Sequence, residues 1–383
     1  MTGPIAAPPA FARLTTPDEL ESLAGWDDLV RAMPRPSPFL LKGWLVEWWR
    51  HYLVGGARPA VIVGTRDGRV VAAAPVFVER RRGIRVAEFL GRDESSLADL
   101  LIEPGEQSEV PRALLEELRH ERFDYAALYG APRGSFLEQS GRFRVVERAE
   151  APVLDLSEGW DVVYTERTSS KRRSQHRRRR RQLGEFGPVE FTIAQEPDEL
   201  ERALDVAFAL HALRWRGRPD GSTFGTEVGR AFHRAALRRL ADADVARILL
   251  MRVGGRPAAF HYYLALDGTM FSHRLGFDPA LARYSPGLMA TLETLAAAAN
   301  EGLRRVEFLG GSERYKTELA DMNEPITQSI GLARTPLGVL GSMSELELIR
   351  ARRTLKRSER LHRLYLRGSQ RNEEAAGISD RAG

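Results

Sequence analysis

The run ARILLMRV (246–253), Gly254-Gly255-Arg256, PAAFHYYLAL (257–266), Asp267-Gly268, TMFSHRLGF (269–277) decides how this chain is read. Its apolar, β-branched and aromatic stretches are cut by glycine turns, the pattern of a hairpin followed by a third strand. A loop, a helix over 287–301 and a strand over 304–311 come next. The same order occurs earlier. AVIVGT (60–65) and VVAAAPVFV (70–78) flank the turn Arg66-Asp67-Gly68-Arg69, and a strand over 86–91, a helix over 110–119 and a strand over 123–130 follow. Each copy reads as hairpin, strand, loop, helix, strand, a repeat of topology with little identity of residues.

The repeat gives a domain plan: an N-terminal half over 10–155, a basic helical linker over 156–184, a C-terminal half over 185–335, and a basic helical tail over 336–383. Between the hairpins the spacing predicts a strand at 189–193 and helices at 196–211 and 226–240. At 383 residues with 43% hydrophobic content, the chain is long enough for two cores, and its composition excludes a disordered, collagen-like or coiled-coil protein. No cysteine is present, which excludes disulfide frameworks, thiolate metal sites and a cysteine nucleophile. The first residues lack a basic segment followed by an apolar one, and the longest apolar run, 70–78, is far too short to span a bilayer; the expectation is a cytoplasmic protein. Trp44, Trp48 and Trp49 sit at helical spacing and are expected in the core.

Charge is local. Residues 166–182 hold nine Lys/Arg against Glu166, and 349–371 hold nine against Glu359, so with a total of only +5 the rest of the chain is net acidic. The run from Lys171 to Arg181 can hold an anionic partner such as tRNA, polyphosphate, lipid or an acidic polymer, or it is a solvated helix face. No aromatic residue interleaves it, which argues against sequence-specific single-strand recognition. Phosphate-binding Walker loops, zinc-protease helices, nucleophile elbows and dinucleotide fingerprints are all missing from the sequence.

Two segments carry a family resemblance: Tyr284-Ser285-Pro286-Gly287-Leu288-Met289, and Glu307-Phe308-Leu309-Gly310-Gly311-Ser312-Glu313-Arg314-Tyr315-Lys316. With the element order, they resemble the GNAT acyltransferases, and in particular the CelD-like branch, which is similar to the Fem-type tandem-GNAT aminoacyltransferases. The resemblance implies an α/β fold of two GNAT-like halves, each a mixed sheet flanked by helices. It also implies acetyl-CoA or another acyl-CoA as donor, no metal, and direct acyl transfer to an amine or hydroxyl of a small molecule or saccharide precursor. An aminoacyl-tRNA donor and an inactive scaffold are the alternatives. The donor's pyrophosphate is expected at Arg283, Ser285, Pro286, Gly287 and Leu288. There the residues offer an N-cap, a helix-starting proline and a flexible glycine ahead of an apolar helix, which also describes an ordinary helix start. The loop departs from the usual glycine-rich GNAT pattern, and its proline has no N–H to donate.

For the chemistry, Glu307 lies mid-strand among Val306, Phe308 and Leu309, where desolvation would make a carboxylate a base; a solvent-facing strand glutamate is the alternative. Tyr284 or Tyr315 would protonate the leaving group. By resemblance, Arg214 and Trp215 form a substrate or adenine pocket and Lys316 meets an anionic donor or intermediate. His261 is a candidate substrate contact, although a strand histidine is more often structural.

Overall fold

A computed structural model of the chain describes residues 7–106, 109–215, 222–311 and 313–357. The first part of the chain runs β1 (Ala10–Leu14), α1 (Pro17–Ser22), α2 (Trp26–Ala32), α3 (Lys42–Tyr52), β2 (Arg58–Pro59), β3 (Val61–Arg66), β4 (Arg69–Ala74), β5 (Val76–Arg81), β6 (Ile84–Phe89), β7 (Leu101–Ile102), α4 (Glu109–Arg119), β8 (Tyr125–Pro132), α5 (Phe136–Gln139) and β9 (Phe143–Ala149). It continues through β10 (Pro152–Asp155), α6 (Trp160–Arg167), α7 (Ser170–Gly184), β11 (Val189–Ala194), α8 (Pro197–Trp215), α9 (Glu227–Asp242), β12 (Ala246–Val253), β13 (Arg256–Leu266), β14 (Thr269–Phe277), α10 (Pro286–Asn300), β15 (Arg305–Glu307), α11 (Arg314–Leu319), β16 (Met322–Asn323), β17 (Ile326–Gly331) and α12 (Pro336–Arg357). The repeated order is therefore real, and mixed sheets flanked by helices form both copies.

Three sheets result, ordered β1-β3-β4-β7, β2-β5-β6-β8-β17-β9 and β11-β12-β13-β14-β15-β10-β16. Sheet membership crosses the boundaries drawn from sequence. β10, at the end of the 10–155 segment, pairs with β15 and β16, while β17, near the end of 185–335, pairs with β8 and β9. The expected strand 70–78 is also two strands, since Pro75 cannot donate to a ladder and the chain changes sheets there. The second copy keeps its hairpin whole in one sheet. The strand expected over 304–311 pairs only through Glu307, then turns off through Leu309 and Gly311, both at positive φ (58° and 125°).

A single large core joins the copies. α3 packs on α9, with the Trp44 ring edge-on to Phe232 at 5.2 Å from Phe39 and 4.9 Å from Phe232. Trp44, Trp48 and Trp49 are buried as their spacing predicts. Emptying such a site to alanine costs about 3–5 kcal/mol.

In both copies a parallel strand pair opens into a wedge. β14 and β15 pair only at Thr269–Arg305, Met270–Val306 and Phe271–Glu307, after which β14 continues to Phe277 without its partner. β6 and β8 pair in parallel only at Val86–Tyr125 and Ala87–Ala126. In β14 a bulge falls at His273, because Tyr262 pairs with Arg274 and Tyr263 with Ser272. A bulge leaves one residue's backbone out of the ladder, here on the wall of the wedge.

Candidate functional site

The end of β14 leads through a 3-10 turn, Pro279–Tyr284, straight into α10. Ser285 occupies the N-cap position expected of it, but its side chain makes no capping bond and its backbone is left-handed (φ 55°, ψ 53°). Pro286 disfavours the right-handed region for the residue before it, and the tight turn holds Ser285 in the strained alternative. The first intrahelical bond runs from the Met289 amide to the Ser285 carbonyl (3.1 Å). Ahead of it, helix geometry leaves the Gly287 and Leu288 amides for an outside acceptor, and Pro286 supplies none.

Around this helix start lies a cleft of about 520 Å³ lined by Thr168, Arg172, Gln175, His176, Arg179, Leu288, Tyr315, Glu318 and Leu319. Arg172 and Arg179 stand two turns apart on α7 and so share a face. Arg172 is paired with Glu318, whereas Arg179 has no ion pair among the described residues. Burial, then the charges of Arg179 and Arg172, pushes the His176 pKa down, so this ring stays neutral beside the cations. Burial pushes the Tyr315 phenol up, which keeps its proton in place at neutral pH.

Arg214 belongs to the same neighbourhood. Its guanidinium donates to the Leu275 carbonyl (2.7 Å) and lies 5.0 Å over Phe277, the ring that a Cβ on Gly287 would meet at 3.1 Å. Trp215 stacks on His211, at 5.4 Å. Residues 216–221, which follow it, lie outside the described residues, as does Ser312 of the second motif. Lys316 is buried and reaches back to the Gly310 carbonyl (3.3 Å) and Glu313 Oε2 (3.1 Å), at the mouth of the β14–β15 wedge.

Other expectations are corrected. Glu307 is buried, but not in apolar surroundings: Arg35 donates to both carboxylate oxygens (3.1 and 2.7 Å) and Arg305 to Oε1 (2.8 Å). A carboxylate so held is a clamp between β15 and the segment after α2. His261 is fully enclosed, bonded to Thr294 (3.1 Å) and Ser272 (2.8 Å), with burial driving its pKa down to about 3. It ties β13 to β14 and α10 and is closed off from solvent. Arg283 and Tyr284 stack on each other (4.6 Å), and Tyr284 meets Phe186 at 5.4 Å beyond the end of α7; neither lines the cleft.

Sequence reasoning missed two clusters. The first surrounds a larger cleft, about 820 Å³, walled by Arg35, Asp99, Arg112, Arg133, Ser135 and Glu324 among others. Burial raises the Asp99 pKa to about 7, offset in part by one bond from the Leu100 amide (2.8 Å). An acid inside the apolar run Leu97-Ala98-Asp99-Leu100-Leu101 was the available signal, the same one that drew attention to Glu307. The second cluster is Glu94, His233 and His273, whose ligand-type atoms lie within 4.8 Å of one another. Arg274 stands 2.8 Å from Glu94 Oε2 and supplies this carboxylate with a counter-charge. Burial alone would raise the Glu94 pKa, yet the His233, Arg274 and Tyr52 partners outweigh it and hold the carboxylate well below its usual range. The trio joins the loop after β6 to α9 and β14.

Comparison with known proteins agrees with this geometry. Residues 170–317 match the family described as acetyltransferase (GNAT) domain. By fold, the chain is similar to a conserved protein of unknown function from Bacteroides thetaiotaomicron (14% identity, TM-score 0.57, 84% of this chain and 99% of that one). It is similar to FemX (10%, TM-score 0.57, 83% and 96%) and to L-PGS from Bacillus licheniformis (15%, TM-score 0.52, 90% and 99%). No curated protein matches the chain by sequence. Residues 170–317 thus match an acetyltransferase (GNAT) domain, and the whole chain is a mixed α/β fold whose sheets are flanked by helices.

Proposed function

Starting from a GNAT domain over residues 170–317, we propose that the protein is an acyl-CoA-dependent acyltransferase whose second half binds the donor and whose acceptor enters the cleft at Asp99. One observation carries this reading: Leu288 at the start of α10, Arg172, Arg179 and Tyr315 line a single cleft, and helix-start amides beside two arginines suit a pyrophosphate. The SPG turn and the FLGG…YK run also favour the CelD-like branch.

The donor supplies an activated acyl thioester. The chain's own residues do the rest. The β14 backbone freed at the His273 bulge, with Lys316 at the mouth of the wedge, polarises the acyl carbonyl. The acceptor nitrogen or oxygen forms the new bond to the acyl carbon as the carbon–sulfur bond breaks. The acceptor's proton passes to Asp99, directly or through water, and Tyr315 protonates the departing thiolate. Arg214 steadies the donor from the Phe277 side.

An aminoacyl-tRNA donor is the second reading, favoured by the exposure of Lys171, Arg177, Arg178 and Arg181, cations that extend beyond the cleft. Calorimetric titration with acetyl-CoA and longer acyl-CoAs tests both. Micromolar binding that Gly287→Trp abolishes is the expected result. Absence of binding to every acyl-CoA, with tight, steeply salt-dependent binding of charged tRNA, establishes the second reading.

A further inference from the structure

Twelve large hydrophobic side chains are exposed among the described residues, and five of them belong to α12: Leu337, Val339, Leu340, Met343 and Leu348, each between 49 and 61% exposed. At 100° per residue they fall within one half of the helix circumference. The opposite half is pinned to the body. Gly338 leaves no room for a Cβ against the Asp124 backbone, Gly341 abuts Ile84 and Tyr125, Glu345 accepts from the Tyr125 hydroxyl, and Ile349 is buried. The apolar face therefore has a fixed outward direction and cannot roll inward.

Charge follows directly along the same helix. Arg350, Arg352, Arg353, Lys356 and Arg357 occupy its last turns, within the 349–371 stretch of nine basic residues against Glu359. No helix of the described residues is long and apolar enough to cross a membrane, so this one would lie on a surface. We infer that α12 is a docking face for an anionic bilayer: its apolar side chains enter the headgroup boundary while the adjoining cations meet lipid phosphates. A second copy of the chain fits less well. Five half-exposed side chains offer on the order of 500 Å² of apolar surface, a large patch for a monomer but short of the roughly 800 Å² per partner of a stable interface.

The test is co-sedimentation of the full chain with vesicles of phosphatidylcholine alone and of phosphatidylcholine mixed with phosphatidylglycerol, beside light scattering for oligomeric state. Binding at least about tenfold stronger to the mixed vesicles is expected, with a loss of about tenfold or more in both Leu340→Glu/Met343→Glu and Arg350→Glu/Arg353→Glu. Leu340, Met343 and Arg350 are exposed, and both variants should keep the parent's urea midpoint, which is measured alongside. Failure to bind either vesicle, or binding indifferent to headgroup charge, overturns the inference. So does a dimer that Leu340→Glu/Met343→Glu turns into monomers while vesicle binding is absent.

Discussion

The two halves follow one plan and diverge where a donor would sit. In the second, β14 passes through a six-residue turn and Ser285 into α10, whose first turn holds no acid and faces two α7 arginines. In the first, residues 90–108 intervene between β6 and α4, β7 returns to a different sheet, and α4 begins with Glu109. An acid at a helix's positive end satisfies the site that an anion would otherwise fill. A shared topology is therefore no measure of a shared ligand. What lies beside the first half instead is a cleft with a carboxyl of raised pKa, the place we propose for the acceptor.

The largest effect that could break this division of labour is expected at Asp99. Asp99→Asn should lower kcat/KM by roughly a hundredfold or more and remove a pH limb near 7, above which the ionised base works. The same group predicts a stability profile. Its folded pKa of about 7 lies above the model-peptide value of 3.8, so folding is favoured below 3.8 and that advantage is lost as pH rises toward 7. Urea midpoints from pH 4 to 8 should decline in the parent and flatten in the variant. An unchanged rate would place the base in the second half.

Glu307→Gln comes next. It removes the buried carboxylate that Arg35 and Arg305 share, leaves them only the half-exposed Glu324, and should cost about 3 kcal/mol in denaturant titration, while donor affinity stays within about twofold. A variant of parent stability that has lost only its rate would restore Glu307 as the base. The smallest effect sharpens the contrast between halves: Arg179→Glu should weaken acyl-CoA binding by about tenfold, and Arg112→Glu, on α4 in the other cleft, should leave it alone.

Much of the fold could be read from the chain because glycine turns and apolar runs are local signals. Gly68 and Gly255 both take φ near 75°, and the strands flanking them fall where their patterns predict. The start of α10, Tyr315 and the basic run were legible for the same reason, and the meeting of Leu288, Tyr315, Arg172 and Arg179 in one cleft was not. Glu307 shows why: the residues flanking it, Val306 and Phe308, are apolar, and the arginine that holds both its carboxylate oxygens lies 272 residues away. Histidine 261 is the converse case, a polar residue whose partners, Thr294 and Ser272, close around it only when α10 packs on the sheet. Asp99 carries a signal of the same kind as Glu307, an acid within an apolar run.

The exchange of β10 and β17 bears on how the molecule is born. β17 is the strand between β8 and β9, so the six-stranded sheet of the first half stays open until residues 326–331 have been synthesised. During translation, two aligned strand edges would wait while the whole second half emerges. A chain of such high contact order should fold late and slowly, and until then those edges invite pairing with neighbouring chains. Cutting the gene between the halves would leave the N-terminal product without the strand that closes its sheet.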